Sequence, residues 1–75
     1  MTKSEILVLL KKEGIPEDRY SLDGGSHHNR LCLERKNNRW YVYYSENGVK
    51  INVNNFILEE IACRHFYDEL VKMIR

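Results

Sequence analysis

The sequence contains few chain-breaking or cross-linking residues and no long apolar run. Its 75 residues include one proline, four glycines and two cysteines, Cys32 and Cys63. No stretch reaches the roughly 18 apolar residues that a membrane span requires, and the charged start of the chain does not read as a secretory signal. Two thiols without such a signal favour a reducing compartment and free side chains, and they lack the four-ligand spacing of a zinc site.

Net charge is almost absent as well. Twelve basic and 11 acidic residues leave a formal charge of +1, which gives no long-range attraction to a phosphate backbone. Nucleic-acid binding would therefore need a local cluster of cations. With 43% apolar and 31% charged residues, the composition is globular rather than disordered. A chain of this length forms one domain, residues 1–75, with a single two-layer core.

The first element is predicted to be a helix. Thr2 and Glu5 have the spacing of a capping box, and apolar residues follow at helical spacing. Gly14 can adopt the left-handed conformation that ends a helix, and Pro16 blocks its continuation. A second helix is predicted over 58–74, where Ala62, Phe66 and Leu70 form an apolar stripe.

Three strands are predicted between the helices, over 30–36, 39–45 and 49–54. Asn37-Asn38 and Asn47-Gly48 suit tight hairpin turns, so the strands form an antiparallel meander. Alternation places Leu31, Leu33, Trp40, Val42, Tyr44, Val49, Ile51 and Val53 on the core face. The opposite, outer face carries Cys32, Glu34, Tyr41, Tyr43, Lys50 and Asn52. The expected fold class is α+β in the order α-β-β-β-α, a three-stranded antiparallel meander with two helices packed on one face.

No group of residues predicts catalysis, a metal site or a cofactor. His27-His28 supplies only two imidazoles, which is too few for a specific metal site. Cys63 and His65 are two positions apart on a helix and do not face each other. Asp23-Gly24-Gly25 lacks the spacing of a phosphate loop. The cluster of Arg35, Lys36 and Arg39 reads as a charged hairpin tip that aids solubility.

The order of elements resembles that of the double-stranded-RNA-binding domain, but the RNA-contacting motifs of that family are missing. The hairpin loops lack a Gly-Pro-x-His pattern, and Glu59-Glu60 stand where that family has lysines at the start of its last helix. Acidic residues there would repel a phosphate. A small RNA-binding module is therefore the alternative function, and a small enzyme or metal protein a third.

A closer resemblance covers nearly the whole chain. It is carried by Gly14-Ile15-Pro16-Glu17-Asp18, Tyr20-Ser21-Leu22, Gly24-Gly25, Cys32-Leu33-Glu34-Arg35, Trp40-Tyr41-Val42-Tyr43-Tyr44-Ser45-Glu46, Gly48, Phe56, Glu59-Glu60, Ala62-Cys63 and Phe66-Tyr67. In these residues the chain resembles small immunity proteins of bacterial polymorphic-toxin and contact-dependent growth inhibition systems. It departs from them at Ile57-Leu58, where an Asp-Ser helix start is expected; Asn55 is the candidate replacement cap.

The resemblance implies a cytoplasmic antitoxin that binds a cognate toxin domain, with no catalysis of its own and no nucleic-acid or membrane partner. We expect the contact surface to be the outer strand face with the neighbouring loop: Asp18, Tyr20, Asp23, Glu34, Tyr41, Tyr43 and Lys50. Replacing Tyr41 and Tyr43 together by alanine should then abolish protection and leave melting nearly unchanged. The third strand is an open edge that could also pair with a second copy of the chain.

Overall fold

The computed structural model describes residues 1–24 and 29–74. The predictions for His27 and His28 lie outside the described residues. The described elements are, in chain order, α1 (Lys3–Lys12), a 3₁₀ turn (Glu17–Arg19), β1 (Tyr20–Ser21), β2 (Arg30–Lys36), β3 (Arg39–Glu46), β4 (Val49–Phe56) and α2 (Glu59–Ile74). Neither described helix has the length and apolar character needed to cross a membrane.

Helix α1 has the predicted signals at both ends. The Glu5 backbone N–H donates to Thr2 Oγ1 at 3.2 Å, and the Thr2 backbone N–H donates to Glu5 Oε1 at 2.8 Å. This is the reciprocal capping box. At the other end Gly14 has φ +72°, and the Ile15 N–H donates to the Leu10 carbonyl at 3.0 Å. That bond belongs to a Schellman motif, which turns Ile15 back onto the helix.

The sheet contains the predicted meander and one further strand. Strands β2, β3 and β4 are antiparallel neighbours, and β1 pairs with β2 in parallel, so the sheet is four-stranded and mixed, in the order β1-β2-β3-β4. The expected three-stranded sheet was therefore incomplete. Strand β1 has only two residues, which is too short to show an alternating pattern in the sequence.

Asparagine residues form the turns, as predicted. Asn37 and Asn38 have φ of +53° and +62°, and Asn47 and Gly48 have φ of +50° and +82°. Positive φ at both central residues is the requirement of a type I′ turn, whose twist matches that of the flanking strands. Each hairpin is therefore set by a rigid two-residue connection.

A β-bulge changes the faces of β4. Val42 pairs with Asn54 and Tyr44 pairs with Ile51, so two residues of β4 oppose Tyr43 alone. Asn52, inside the bulge, has φ +54°. The extra residue shifts the alternation by one position. Asn54 thus takes the side predicted for Val53, and Val53 is exposed. The prediction that Val49, Ile51 and Val53 form one core stripe was wrong, since Val49 is exposed as well.

Both helices contribute to one core on the same side of the sheet, as predicted. The buried cluster joins Ile6, Leu10, Ile15, Tyr20, Leu31, Leu33, Trp40, Val42, Ala62, Cys63, Phe66 and Leu70. Two polar contacts fix α1 beside α2: the Lys3 backbone N–H donates to Glu59 Oε2 at 2.8 Å, and the Tyr67 hydroxyl donates to the Glu13 carboxylate at 2.7 Å. Asn55 lies in β4 opposite Tyr41, so the expectation that it caps α2 was wrong.

Candidate functional site

The outer face of the sheet is less accessible than the sequence predicted. Tyr43 is only 1% exposed. Its hydroxyl donates to Glu34 Oε1 at 2.6 Å, and Lys50 Nζ lies 4.8 Å from the centre of its ring. Lys50 Nζ also lies 3.6 Å from Glu34 Oε1. The expectation that Tyr43 is free to contact a partner was therefore wrong, because it forms the centre of a closed contact network with Glu34 and Lys50.

The chain that follows β1 packs against this network. The Ser21 hydroxyl donates to the Gly24 carbonyl at 3.2 Å and accepts from the Asp23 backbone N–H at 3.4 Å. A β-carbon on Gly24 would lie 2.7 Å from the Cβ, Cγ and Oε1 of Glu34. The turn after β1 is thus in direct contact with the outer face, and glycine at position 24 allows this approach.

The remaining predicted contact residues have different environments. Tyr20 is buried and belongs to the core rather than to the exposed surface. Burial also raises the pKa of its hydroxyl. Asp18 is exposed on the 3₁₀ turn. Asp23 is exposed, and its carboxylate lies 2.7 Å from Lys3 Nζ. Tyr41 is partly exposed and is the accessible tyrosine of the predicted pair.

A second surface lies at the end of the sheet where the β2–β3 hairpin turns. Lys36 and Arg39 flank that turn as direct partners, and Trp40 pairs with Phe56 at the end of β4. Arg39 Nη1 donates to Asn55 Oδ1 at 3.0 Å, which joins the hairpin to β4. We refer to the residues at this end of the sheet as the hairpin-end surface. They are Arg35, Lys36, Arg39, Tyr41, Asn55, Ile57, Leu58 and Ile61.

The apolar part of the hairpin-end surface is unusually accessible for its residue types. Ile57, Leu58 and Ile61 are 69%, 57% and 52% exposed. Next to them is a concavity of about 470 Å³ whose lining includes Phe56, Ile61 and His65. The apolar residues between β4 and α2 were not among the predicted contacts. Their signal in the sequence was the departure at Ile57-Leu58, where a polar helix start was expected.

A larger groove lies between β4 and α2. It measures about 730 Å³, and Ile51 and Met73 line it together with the polar residues Asn54, His65 and Glu69. The His65 and Asn54 side-chain nitrogens are 3.5 Å apart, and His65 packs against the Phe56 ring at 5.2 Å between centroids. The bulge contributes directly to this groove, because it places Asn54 rather than Val53 on the helix side of β4.

Both cysteines are free and buried. Burial is the main cause that raises the pKa of Cys32, and it raises the pKa of Cys63 to about 11. A nucleophilic cysteine requires a lowered pKa and access to its substrate, so neither thiol has the environment of a nucleophile. Within residues 1–24 and 29–74, no group of three or more His, Cys, Asp or Glu side chains is placed to hold a metal ion.

We expect Cys32 and Cys63 to resist a water-soluble thiol reagent in the native protein. Reaction requires an exposed thiol in its thiolate form. In the folded chain both thiols are buried and their pKa values are raised, so neither condition is met. The measurement is the rate of labelling at pH 8 by absorbance, with and without denaturant. Native labelling as fast as that of the unfolded chain would contradict the buried placement.

Comparisons of the chain with models of protein families, with curated proteins and with solved structures found no match.

Proposed function

We propose that the protein is an immunity protein that binds a cognate bacterial toxin domain in the cytoplasm and neutralises it. The observation that carries this proposal is the hairpin-end surface, where exposed Ile57, Leu58 and Ile61 lie at the same end of the sheet as Lys36 and Arg39. Clustered exposed apolar residues mark protein-binding sites, and interfaces combine an apolar centre with arginine and tyrosine.

The backbone around this surface supports tight binding. The type I′ turn sets the backbone between Lys36 and Arg39, and the Arg39 guanidinium donates to Asn55 Oδ1. A surface that is already ordered loses less conformational entropy when a partner binds. In this proposal the protein covers the active site or the substrate path of the toxin and needs no catalytic residue of its own.

RNA binding is the second candidate, and the cations of the hairpin favour it. Three features of the described chain weigh against it. Tyr43 is buried and cannot stack on a base, Glu34 lies on the same face as Lys36, and Glu59-Glu60 begin α2. Single-stranded RNA is usually bound on several exposed aromatic rings along a basic groove. We therefore favour a protein partner.

Neutralisation tests the proposed function directly. The chain is co-expressed with candidate toxin domains from its own genome, each in cells that the toxin alone kills, and growth is measured. We expect full protection by the native chain and loss of protection when Leu58→Asp is combined with Ile61→Glu. The new carboxylates replace apolar contacts. Asp at position 58, whose carbonyl accepts the first helical bond from Ala62, is also a favourable N-cap, so the fold should be retained.

The matched control is Leu7→Glu combined with Val8→Glu on α1, which also replaces two exposed apolar side chains by acids. This control should protect as well as the native chain. Killing in the presence of the native chain, with both proteins expressed and soluble, would refute the proposed function. If the two double variants protect equally well, the hairpin-end surface is not the site that binds the toxin.

A further inference from the structure

The β2–β3 hairpin holds three cations that form no ion pair with a carboxylate within the described residues, although the charge of Lys36 helps to lower the pKa of nearby Glu34. Lys3, Lys50, Arg64 and Lys72 each lie within 3.8 Å of a carboxylate oxygen. The other described cations outside the hairpin, which form no such pair, are Lys11, Lys12, Arg19 and Arg30, and they do not share one hairpin. Arg35, Lys36 and Arg39 have no such ion pair among residues 1–24 and 29–74. The formal charge of the whole chain is only +1, so this concentration of positive charge is local to one end of the sheet.

The two arginines of the hairpin are oriented by neutral groups, which leave their charge in place. Lys36 and Arg39 are direct cross-strand partners, an arrangement of like charges that costs stability. Arg39 is oriented by the neutral amide of Asn55 at 3.0 Å. The Arg35 guanidinium lies 5.7 Å from the centre of the Trp40 ring. A guanidinium that is oriented by neutral groups is ready to bind a carboxylate in a fixed geometry.

We propose that the hairpin-end surface binds an acidic segment of the partner protein, whose carboxylates pair with Arg39 and Lys36 and whose apolar side chains cover Ile57 and Leu58. This inference rests on the proposed function and specifies the chemistry of its partner. The neighbouring Ile57 and Leu58 favour a peptide over a nucleic acid, because they are aliphatic and offer a base no ring on which to stack, whereas they can pack against apolar side chains of a peptide.

Synthetic probes test this chemistry without the toxin. The native chain is titrated with a fluorescent peptide of mixed Glu and Leu, with the same peptide carrying Gln for Glu, and with single-stranded oligouridylate RNA. Each titration is done at about 0.02 M and about 0.15 M salt, where screening differs. We expect the acidic peptide to bind best and to weaken with salt, with amide shifts at residues 35–41 and 55–58 in nuclear magnetic resonance spectra.

Two variants separate local charge from total charge. Lys36→Glu with Arg39→Glu should weaken the acidic peptide at least about tenfold, the lower range of electrostatic effects on association. Lys11→Glu with Lys12→Glu, at the exposed end of α1, makes the same change in net charge but keeps the hairpin cations. The affinity for the acidic peptide should therefore stay within about twofold of that of the native chain. Asn55→Asp keeps the shape of the side chain but places a carboxylate beside Arg39, so the affinity for the acidic peptide should fall several-fold.

Tighter binding of the RNA than of the acidic peptide, or equal weakening by the two double variants, would overturn the inference. The proposed function is judged separately, by neutralisation. Peptide binding at the hairpin with no neutralisation would reject the immunity function and keep the acidic-segment site. Neutralisation that is unaffected by Lys36→Glu with Arg39→Glu would keep the function and reject this site.

Discussion

Replacing Tyr43 by alanine is expected to destabilise the domain by about 3–5 kcal/mol, the usual cost of deleting a buried aromatic ring. The ring is 1% exposed, and it lies under Lys50 Nζ with its hydroxyl on Glu34. Removal leaves a cavity and a partly buried carboxylate without its donor. Small domains have about 5–15 kcal/mol of stability in total. Urea unfolding followed by the fluorescence of Trp40 measures the loss.

Two controls divide that loss into its causes. Tyr43→Phe keeps the ring but removes the hydroxyl, and should cost about 1–3 kcal/mol, the range for a hydrogen bond to a charged group. This bond is the main cause that lowers the pKa of Glu34, so its contribution is complete at neutral pH and is lost as pH falls through the lowered pKa. Tyr41→Ala, at a partly exposed ring, should cost clearly less than Tyr43→Ala; equal costs would contradict the buried network.

Gly24→Ala is expected to cost about 2–5 kcal/mol, although it adds a single methyl group. Gly24 has φ +68°, a conformation that costs an L-residue about 1–2 kcal/mol. The new β-carbon would also lie 2.7 Å from three atoms of Glu34, and overpacking of this kind adds about 1–3 kcal/mol. Because Glu34 must move, its bond to Tyr43 is weakened as well. The measurement is again the free energy of unfolding in urea.

Gly14 and Gly48 provide the matched comparison. Both have positive φ, +72° and +82°, but a β-carbon at either position would have no neighbouring atom within 4 Å. Gly14→Ala and Gly48→Ala should therefore show the backbone cost alone, about 1–2 kcal/mol. If all three alanine variants lose the same free energy of unfolding, the turn after β1 is not packed against Glu34. The conclusion that this turn helps to cover the outer face would then be wrong.

Local signals predicted most of the fold. The capping box at Thr2 and Glu5, the left-handed Gly14 and the asparagine turns depend on residues close together in sequence, and each is present in the structure. The missed features depend on distant contacts. Strand β1 exists because Tyr20-Ser21 pairs with β2, and the bulge arises from how β4 fits against β3. Neither leaves a pattern in a short stretch of sequence.

The site was harder to predict than the fold, for a related reason. Alternation assigned Tyr43 to the outer face correctly, but facing away from the helices did not mean exposure to solvent. The cover comes from Lys50, Glu34 and the turn at Gly24, and only tertiary contacts reveal it. The hairpin cations were visible in the sequence, but their proximity to Ile57 and Leu58 follows from the pairing of Trp40 with Phe56.

The bulge at Asn52 also affects how copies of the chain meet one another. Strand β4 is the last strand of the sheet and has eight residues, long enough to act as a template for another strand. A bulge bends and twists the strand that carries it, which makes a continuous ladder of new hydrogen bonds harder to form. We therefore expect the purified chain to stay soluble at high concentration, because the bulged strand resists pairing with the same strand of another copy.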